Sequence, residues 1–109
     1  MTPNPVIIQR AIKKAMKSDC NYLVSAIGLN RRGEVIFSSP NLHRFNHYGG
    51  SIHAEMNVML KAGPSLHTIV IVRVTPKGTV KPLHSCDACS RKAKELGVKI
   101  LSVSDLRRR

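Results

Sequence analysis

The stretch Thr68-Ile69-Val70-Ile71-Val72-Arg73-Val74 decides the fold, because it is a nearly continuous run of β-branched residues. Such a run is typical of a strand that is covered on both faces and lies centrally in a sheet. Aromatic residues make up only 4% of the chain and Trp is absent, so the core is built from smaller apolar side chains, which suits a sheet covered by helices.

Patterns on both sides of this strand predict the remaining elements. Amphipathic spacing, an N-cap at Ser51 and closing glycines predict helices over residues 5–18, 52–61 and 86–96. Strands are predicted over 22–29 and 34–38, as a hairpin, and over 98–103. Residues 39–51 show no period and predict a long loop, and 105–109 show no packing pattern. This order predicts an α/β fold, a three-layer α/β/α sandwich with a mixed sheet.

Size, charge and cysteine usage limit the function. The 109 residues predict a single domain, residues 1–109. Eighteen Lys and Arg against six Asp and Glu give a net charge of +12, which indicates an anionic partner such as a nucleotide or single-stranded nucleic acid, although general solubility would also explain it. An odd number of cysteines, no secretory leader and no long apolar run predict a cytoplasmic protein without a membrane span.

Two short motifs carry the chemistry: His53-Ala54-Glu55 and, after 30 intervening residues, Cys86-Asp87-Ala88-Cys89. One histidine and two cysteines can supply three ligands to Zn²⁺ and leave the fourth tetrahedral position open for water. Zinc at such a site lowers the pKa of its water far below that of bulk water, towards about 7, and Glu55 beside it could carry protons. The alternative is a closed structural Cys₂His₂ site that recruits His84 or another histidine.

The motifs and the element order resemble the zinc-dependent cytidine and deoxycytidylate deaminase superfamily, in which HxE is followed by PCxxC. The resemblance covers nearly the whole chain and suggests a small phage-like or bacterial member with a minimal form of the cytidine deaminase-like fold. It implies that His53, Cys86 and Cys89 bind zinc and that Glu55 is the general acid/base. Two features depart from the family. Ser85 replaces the usual proline, and the chain ends after the fourth predicted strand, which puts the family's outer strand and final helix in doubt.

The same resemblance suggests which residues surround the substrate. An asparagine just after the second strand commonly contacts the sugar, which implies this role for Asn41, with Asn46 as a weaker rival. Three further residues are expected to line the pocket: Ala54, which lies within the first motif, and His84 and Ser85, which precede the second. Phe45, Tyr48, His43 and His47 share the long loop and could also line it.

The expected substrate is cytosine in a cytidine or deoxycytidine nucleotide similar to CMP or dCMP. A histidine as the first ligand resembles nucleotide and polynucleotide deaminases, whereas free-nucleoside deaminases usually have cysteine there. Single-stranded DNA or RNA is therefore the alternative substrate, with the basic residues and the Arg107 to Arg109 tail as phosphate contacts. A non-catalytic, zinc-stabilised nucleic-acid-binding protein is an alternative of another class. A homo-oligomer is plausible by family analogy.

Overall fold

The computed structural model describes residues 5–18, 23–43, 51–52, 54–83, 85 and 87–106. The helices are α1 (Pro5–Ala15), α2 (Ala54–Lys61), α3 (Asp87–Leu96) and α4 (Val103–Leu106). The strands are β1 (Leu23–Leu29), β2 (Val35–Pro40), β3 (Leu42–His43), β4 (Ser51–Ile52), β5 (Thr68–Val74), β6 (Val80–Lys81) and β7 (Lys99–Ser102). Within the described ranges, no helix has both the length and the apolar character to cross a bilayer.

The main sheet is organised around β1 and β5, which pair antiparallel along all seven residues of each strand. β2 lies on the other side of β1 as the second strand of a hairpin. The far edge of β5 is shared: β7 pairs parallel with its first half, and β6 pairs antiparallel with its last two residues. The sheet is therefore mixed. β3 and β4 form a separate two-stranded pair.

Alternate residues of β1 and β5 face two different helical layers. Ile27, Leu29, Val70, Val72 and Val74 pack against α1 through its buried Ile7, Ala11 and Ala15. Ala26, Ile69 and Ile71 face the opposite way and pack against α2 and α3. Because each fully buried Val or Ile contributes about 1.5–3 kcal/mol, these two apolar layers are a major source of stability.

One buried polar contact fixes α1 on its face of the sheet. Ser25 lies on the same face of β1 as Ile27 and is fully buried. Its hydroxyl donates a hydrogen bond to the main-chain carbonyl of Ala11. This bond satisfies a hydroxyl that would otherwise be costly to bury, and it ties the middle of the helix to the first strand.

The structure confirms the predicted α/β class and the order of the main elements, and it corrects several boundaries. Ser51 is wrong as an N-cap, because Ser51 and Ile52 pair with Leu42 and His43 and the helix begins only at Ala54. The predicted loop is therefore partly strand at both ends. The last strand ends at Ser102, and Val103, which was predicted to be its final residue, begins a short helix that ends at Leu106, within the tail for which no packing pattern was found. The two-residue strand β6 was not predicted.

Gly28 allows α2 to lie close to the sheet. A Cβ atom at this position would be 2.7 Å from Cγ1 of Val58 and 2.9 Å from Cδ1 of Leu66. Both distances are shorter than van der Waals contact. Val58 is β-branched and lies within a helix, so its side chain has little rotameric freedom with which to move away. The spacing between α2 and β1 therefore depends on the absence of a side chain at position 28.

We expect Gly28→Ala to lower the free energy of unfolding by about 1–2 kcal/mol. Overpacking of this kind costs about 1–3 kcal/mol, and the reduced entropy of the unfolded chain offsets part of that cost. Urea denaturation of the wild type and the variant measures the change. In a Val58→Ala background the same substitution should cost clearly less, because the nearest clashing atom is gone; equal costs in both backgrounds would contradict the steric explanation.

Candidate active site

α2 and α3 lie together on one face of the sheet. α2 contacts both β1 and α3. Ala54, the first residue of α2, and Cys89, in the first turn of α3, belong to the same buried cluster, which includes Ile69 and Ile71 of β5. The two sequence motifs are separated by 30 residues in the chain, and the packing of α2 on α3 brings together the helices that carry them. The residues that the structure describes in these motifs are Ala54, Glu55, Asp87, Ala88 and Cys89.

Glu55 is the acidic residue of the first turn of α2, and it is only 5% exposed. A carboxylate withdrawn from water costs free energy unless neighbouring groups stabilise its charge. A carboxylate on the exposed side of α2 would not have this desolvation cost, so a structural role alone does not explain why Glu55 is buried. The positive end of the helix dipole at the first turn favours a negative charge there. A buried carboxyl group at this position is suited to proton transfer in a site shielded from solvent.

Cys89 is 1% exposed and lies in the first turn of α3. A helix N-terminus favours thiolate over thiol, and the thiolate is the form that binds zinc. Cys89 thus fits the donor set expected of a zinc ligand. The other two predicted ligands, His53 and Cys86, lie outside the described residues, immediately before α2 and α3. Within the described ranges alone, no group of three or more potential ligands is found.

Ser85 precedes Cys86, and its side-chain hydroxyl has no hydrogen-bond partner among the described residues. Its hydroxyl oxygen is buried and makes no hydrogen bond to the described part of the chain. An orphaned buried hydroxyl is costly and is more often found where a ligand supplies the missing partner. This observation fits a polar ligand beside the CxxC segment.

Asn41 follows β2 directly and is buried. Its side-chain oxygen Oδ1 accepts a hydrogen bond from the main-chain N–H of Val24 at 3.1 Å and another from the Ser18 hydroxyl. Its own N–H donates to the carbonyl of Val24 at 2.8 Å. These bonds join the segment after α1, the start of β1 and the end of β2, and they fix the orientation of the Asn41 amide.

Asn57 is a site residue that the sequence analysis missed. It lies two residues after Glu55, is buried, and donates from Nδ2 to the hydroxyl oxygen of Ser39 at 2.7 Å. This bond anchors the first half of α2 to β2, next to Asn41. A signal was available in the sequence, because Asn57 adjoins Val58 on the face of the helix that packs on the sheet, where a polar residue needs a partner.

Several predicted pocket residues fall outside the described ranges, so their predicted roles stay predictions. They are His84, the loop residues Phe45, Asn46, His47 and Tyr48, and the tail Arg107 to Arg109. His43 has its main chain in β3.

Solved structures with a similar fold are cytidine deaminases. The enzyme from Burkholderia pseudomallei is 27% identical, with a TM-score of 0.63, and the match covers 86% of this chain and 77% of that chain. The cytidine deaminase from Mycobacterium leprae is 20% identical, with a TM-score of 0.63 and coverage of 93% of both chains. The cytidine deaminase from Mycobacterium tuberculosis is 22% identical, with a TM-score of 0.59, over 86% of this chain and 78% of that chain. A search of curated proteins gave no match.

The sequence itself matches a family model over residues 2–104, almost its whole length. That model describes the cytidine and deoxycytidylate deaminase zinc-binding region. The match includes both motifs and all the elements that carry them, and the fold agrees with that of the solved cytidine deaminases. The chain is therefore a member of the cytidine and deoxycytidylate deaminase family.

Proposed function

We propose that the protein is a zinc-dependent hydrolytic deaminase that converts cytosine to uracil in a cytidine or deoxycytidine nucleotide and releases ammonia. The observation that carries this proposal is the burial of Glu55 and Cys89 in the first turns of two helices that contact each other. A structural zinc site with four protein ligands would not need a buried carboxyl group in the first turn of the neighbouring helix.

His53, Cys86 and Cys89 would hold the zinc ion. Two thiolates neutralise its two charges, and a neutral imidazole completes the protein ligands without adding charge to a buried site. When bound, zinc supplies Lewis acidity, which makes water a nucleophile near neutral pH. The match to the family's zinc-binding region and the helix-start position of Cys89 support this assignment.

Glu55 would move the protons of the reaction. In the hydrolysis, the hydroxyl group of water bonds to C4 of cytosine and the proton of that water goes to ring N3. The C4–N4 bond then breaks, and N4 leaves as ammonia after it has received the proton of the new C4 hydroxyl group, which becomes the carbonyl of uracil. One carboxylate can take a proton from water and deliver it to a substrate nitrogen, then repeat the transfer for the leaving amine. The shielded position of Glu55 keeps bulk water from exchanging these protons.

The remaining predicted residues would orient the nucleotide. Ala54 and Ser85 adjoin the expected metal ligands, and the unsatisfied hydroxyl of Ser85 is available to a polar group of the substrate, with His84 beside it. We assign the sugar contact to Asn41, whose amide is held in one orientation by Val24 and Ser18. An amide fixed in this way loses little conformational entropy when it binds a ligand.

We expect Glu55→Gln to lower kcat by about 10²- to 10⁴-fold, the usual contribution of general acid–base catalysis, because the amide cannot carry the protons. Release of ammonia or formation of uracil from dCMP and CMP measures the loss. Zinc content and unfolding should stay close to those of the wild type. Turnover at the wild-type rate would show that another group moves the protons.

Two control variants separate proton transfer from metal binding and from general charge effects. Glu95→Gln removes an exposed carboxylate from α3 and should leave kcat unchanged. Cys89→Ala should lose both zinc and activity, whereas Cys20→Ala should keep both, since Cys20 belongs to neither motif. Zinc retained at one ion per chain in Cys89→Ala would remove this residue from the ligand set.

We expect Asn41→Ala to lower the free energy of unfolding by about 1–3 kcal/mol, because the N–H of Val24 loses its acceptor and the hydroxyl of Ser18 loses one of two acceptors. Asn41→Asp keeps an acceptor oxygen for both donors and should lose less. Urea denaturation measures both variants. If the sugar contact is correct, Asn41→Asp also raises KM for the nucleotide; unchanged KM would reduce Asn41 to a structural residue.

A panel of substrates decides between the nucleotide and the polynucleotide. The zinc-loaded protein is incubated with cytidine, CMP, dCMP and with single- and double-stranded oligonucleotides, and conversion to uracil is followed. We expect the nucleotides to be converted. Turnover of oligonucleotides alone would favour the polynucleotide as substrate, which the net charge of +12 supports. Zinc binding and nucleic-acid binding without any turnover would favour the non-catalytic alternative.

A further inference from the structure

α1 carries a stripe of positive charge that the candidate active site does not use. Arg10, Lys13, Lys14 and Lys17 are spaced by three or four residues, so they lie along one side of the helix and its C-terminal extension; these four residues are the α1 stripe. Arg10, Lys13 and Lys17 are exposed and Lys14 is half-buried. None of the four forms an ion pair with a carboxylate of the described residues.

The stripe borders a shallow groove between α1 and the hairpin. The groove has a volume of about 200 Å³, and the remaining lining residues described are Ile27 of β1 and Ser38 of β2, which are register partners. No acidic residue belongs to this described lining. Four cations along a groove next to the edge strand produce a concentrated positive potential, because no carboxylate of the described residues forms an ion pair with them.

The C-terminal end of the stripe is connected to Asn41 by hydrogen bonds. Ser18 follows Lys17 directly, and its hydroxyl donates to the main-chain carbonyl oxygen of Asn41 at 3.1 Å as well as to the side-chain oxygen of that residue. Asn41 is the proposed sugar contact. The positive stripe therefore leads along α1 to the residue that would hold the nucleotide.

We propose that the α1 stripe binds the phosphodiester backbone of a single-stranded nucleic acid whose cytosine enters the candidate site. This inference rests on the proposed deamination of cytosine, and it adds a single strand to the nucleotide as a second substrate. The seven-residue separation of Arg10 and Lys17 corresponds to about 10 Å along a helix, so the stripe is long enough to contact more than one phosphate of a strand. A single nucleotide needs only one or two cations. A single strand is required because the target atom of cytosine is not accessible inside a duplex.

The test measures binding separately from turnover. Full-length, zinc-loaded Glu55→Gln protein, which leaves the cytosine intact, is titrated against fluorescent DNA and RNA strands of about 12 nucleotides, and anisotropy is recorded between about 50 and 200 mM salt. Lys13→Gln/Lys17→Gln should weaken binding about five- to tenfold and make the plot of log K against log salt shallower by about 1.4, which is about 0.7 for each phosphate that is no longer neutralised. The DNA and RNA arms identify the sugar that is preferred.

Lys94→Gln/Lys99→Gln removes the same charge from exposed positions on α3 and β7 and should change the slope much less. Lys13→Arg/Lys17→Arg restores the charges and should restore the slope, which excludes a loss caused by a weakened helix. Equal slopes for the two glutamine variants, or no binding of either strand, would overturn the proposal. Displacement of the strand by polyglutamate at equal charge would also overturn it, because the stripe would then bind acidic proteins equally well.

Turnover of dCMP and CMP by the wild type distinguishes the two proposals. If monomers are deaminated but the strands do not bind through the α1 stripe, only this inference fails. If the strands bind through the stripe and no cytosine is converted in any form, the proposed function fails while the binding surface stands.

Discussion

β1 and β5 exchange main-chain hydrogen bonds along the whole length of both strands, and the side chains of the pair are buried on both faces. A strand pair that is covered on both sides forces its alternate residues to serve two separate layers. On one face the layer is α1, and on the other it is α2 with α3. The positions of the two motifs, of the α1 stripe and of Asn41 all follow from this one pairing.

Hydrogen bonds of Asn57 and Asn41 fix the helix that carries Glu55 relative to the strands of the sheet. Asn57 joins α2 to Ser39 of β2 by a hydrogen bond. Asn41, two residues after Ser39, accepts hydrogen bonds from the N–H of Val24 and the hydroxyl of Ser18. These buried bonds are directional, whereas apolar packing is not, so they fix the register of the helix start against the hairpin. Glu55 lies on a helix that is bonded to β2 through Asn57. The end of β2 is bonded in turn, through Asn41, to β1 and to the segment after α1.

Local patterns in the sequence predicted the elements whose environment is uniform along their length. The bounds of β5 were correct because both of its faces are apolar, and α3 began one residue later than predicted. The errors occurred where distant segments decide the conformation. Ser51 has the chemistry of an N-cap, but pairing with Leu42–His43 takes it into a strand. The Asn57 to Ser39 bond joins residues 18 positions apart, so the local pattern indicates that Asn57 needs a partner but does not identify Ser39 as that partner. The motif spacing predicted the chemical inventory, and the packing of α2 on α3 brings together the two helices that carry the described part of it.

In this small member of the deaminase family, the close approach of α2 to β1 depends on Gly28, which carries only a hydrogen atom where other residues carry a side chain. The depth at which α2 rests on β1 is set there, opposite Val58, one turn away from Glu55 along the same helix. A side chain at position 28 would move α2, and with it the carboxyl group of Glu55, away from β1, and a larger side chain would move them farther. The distance between this carboxyl group and the sheet therefore depends on a residue that belongs to neither motif.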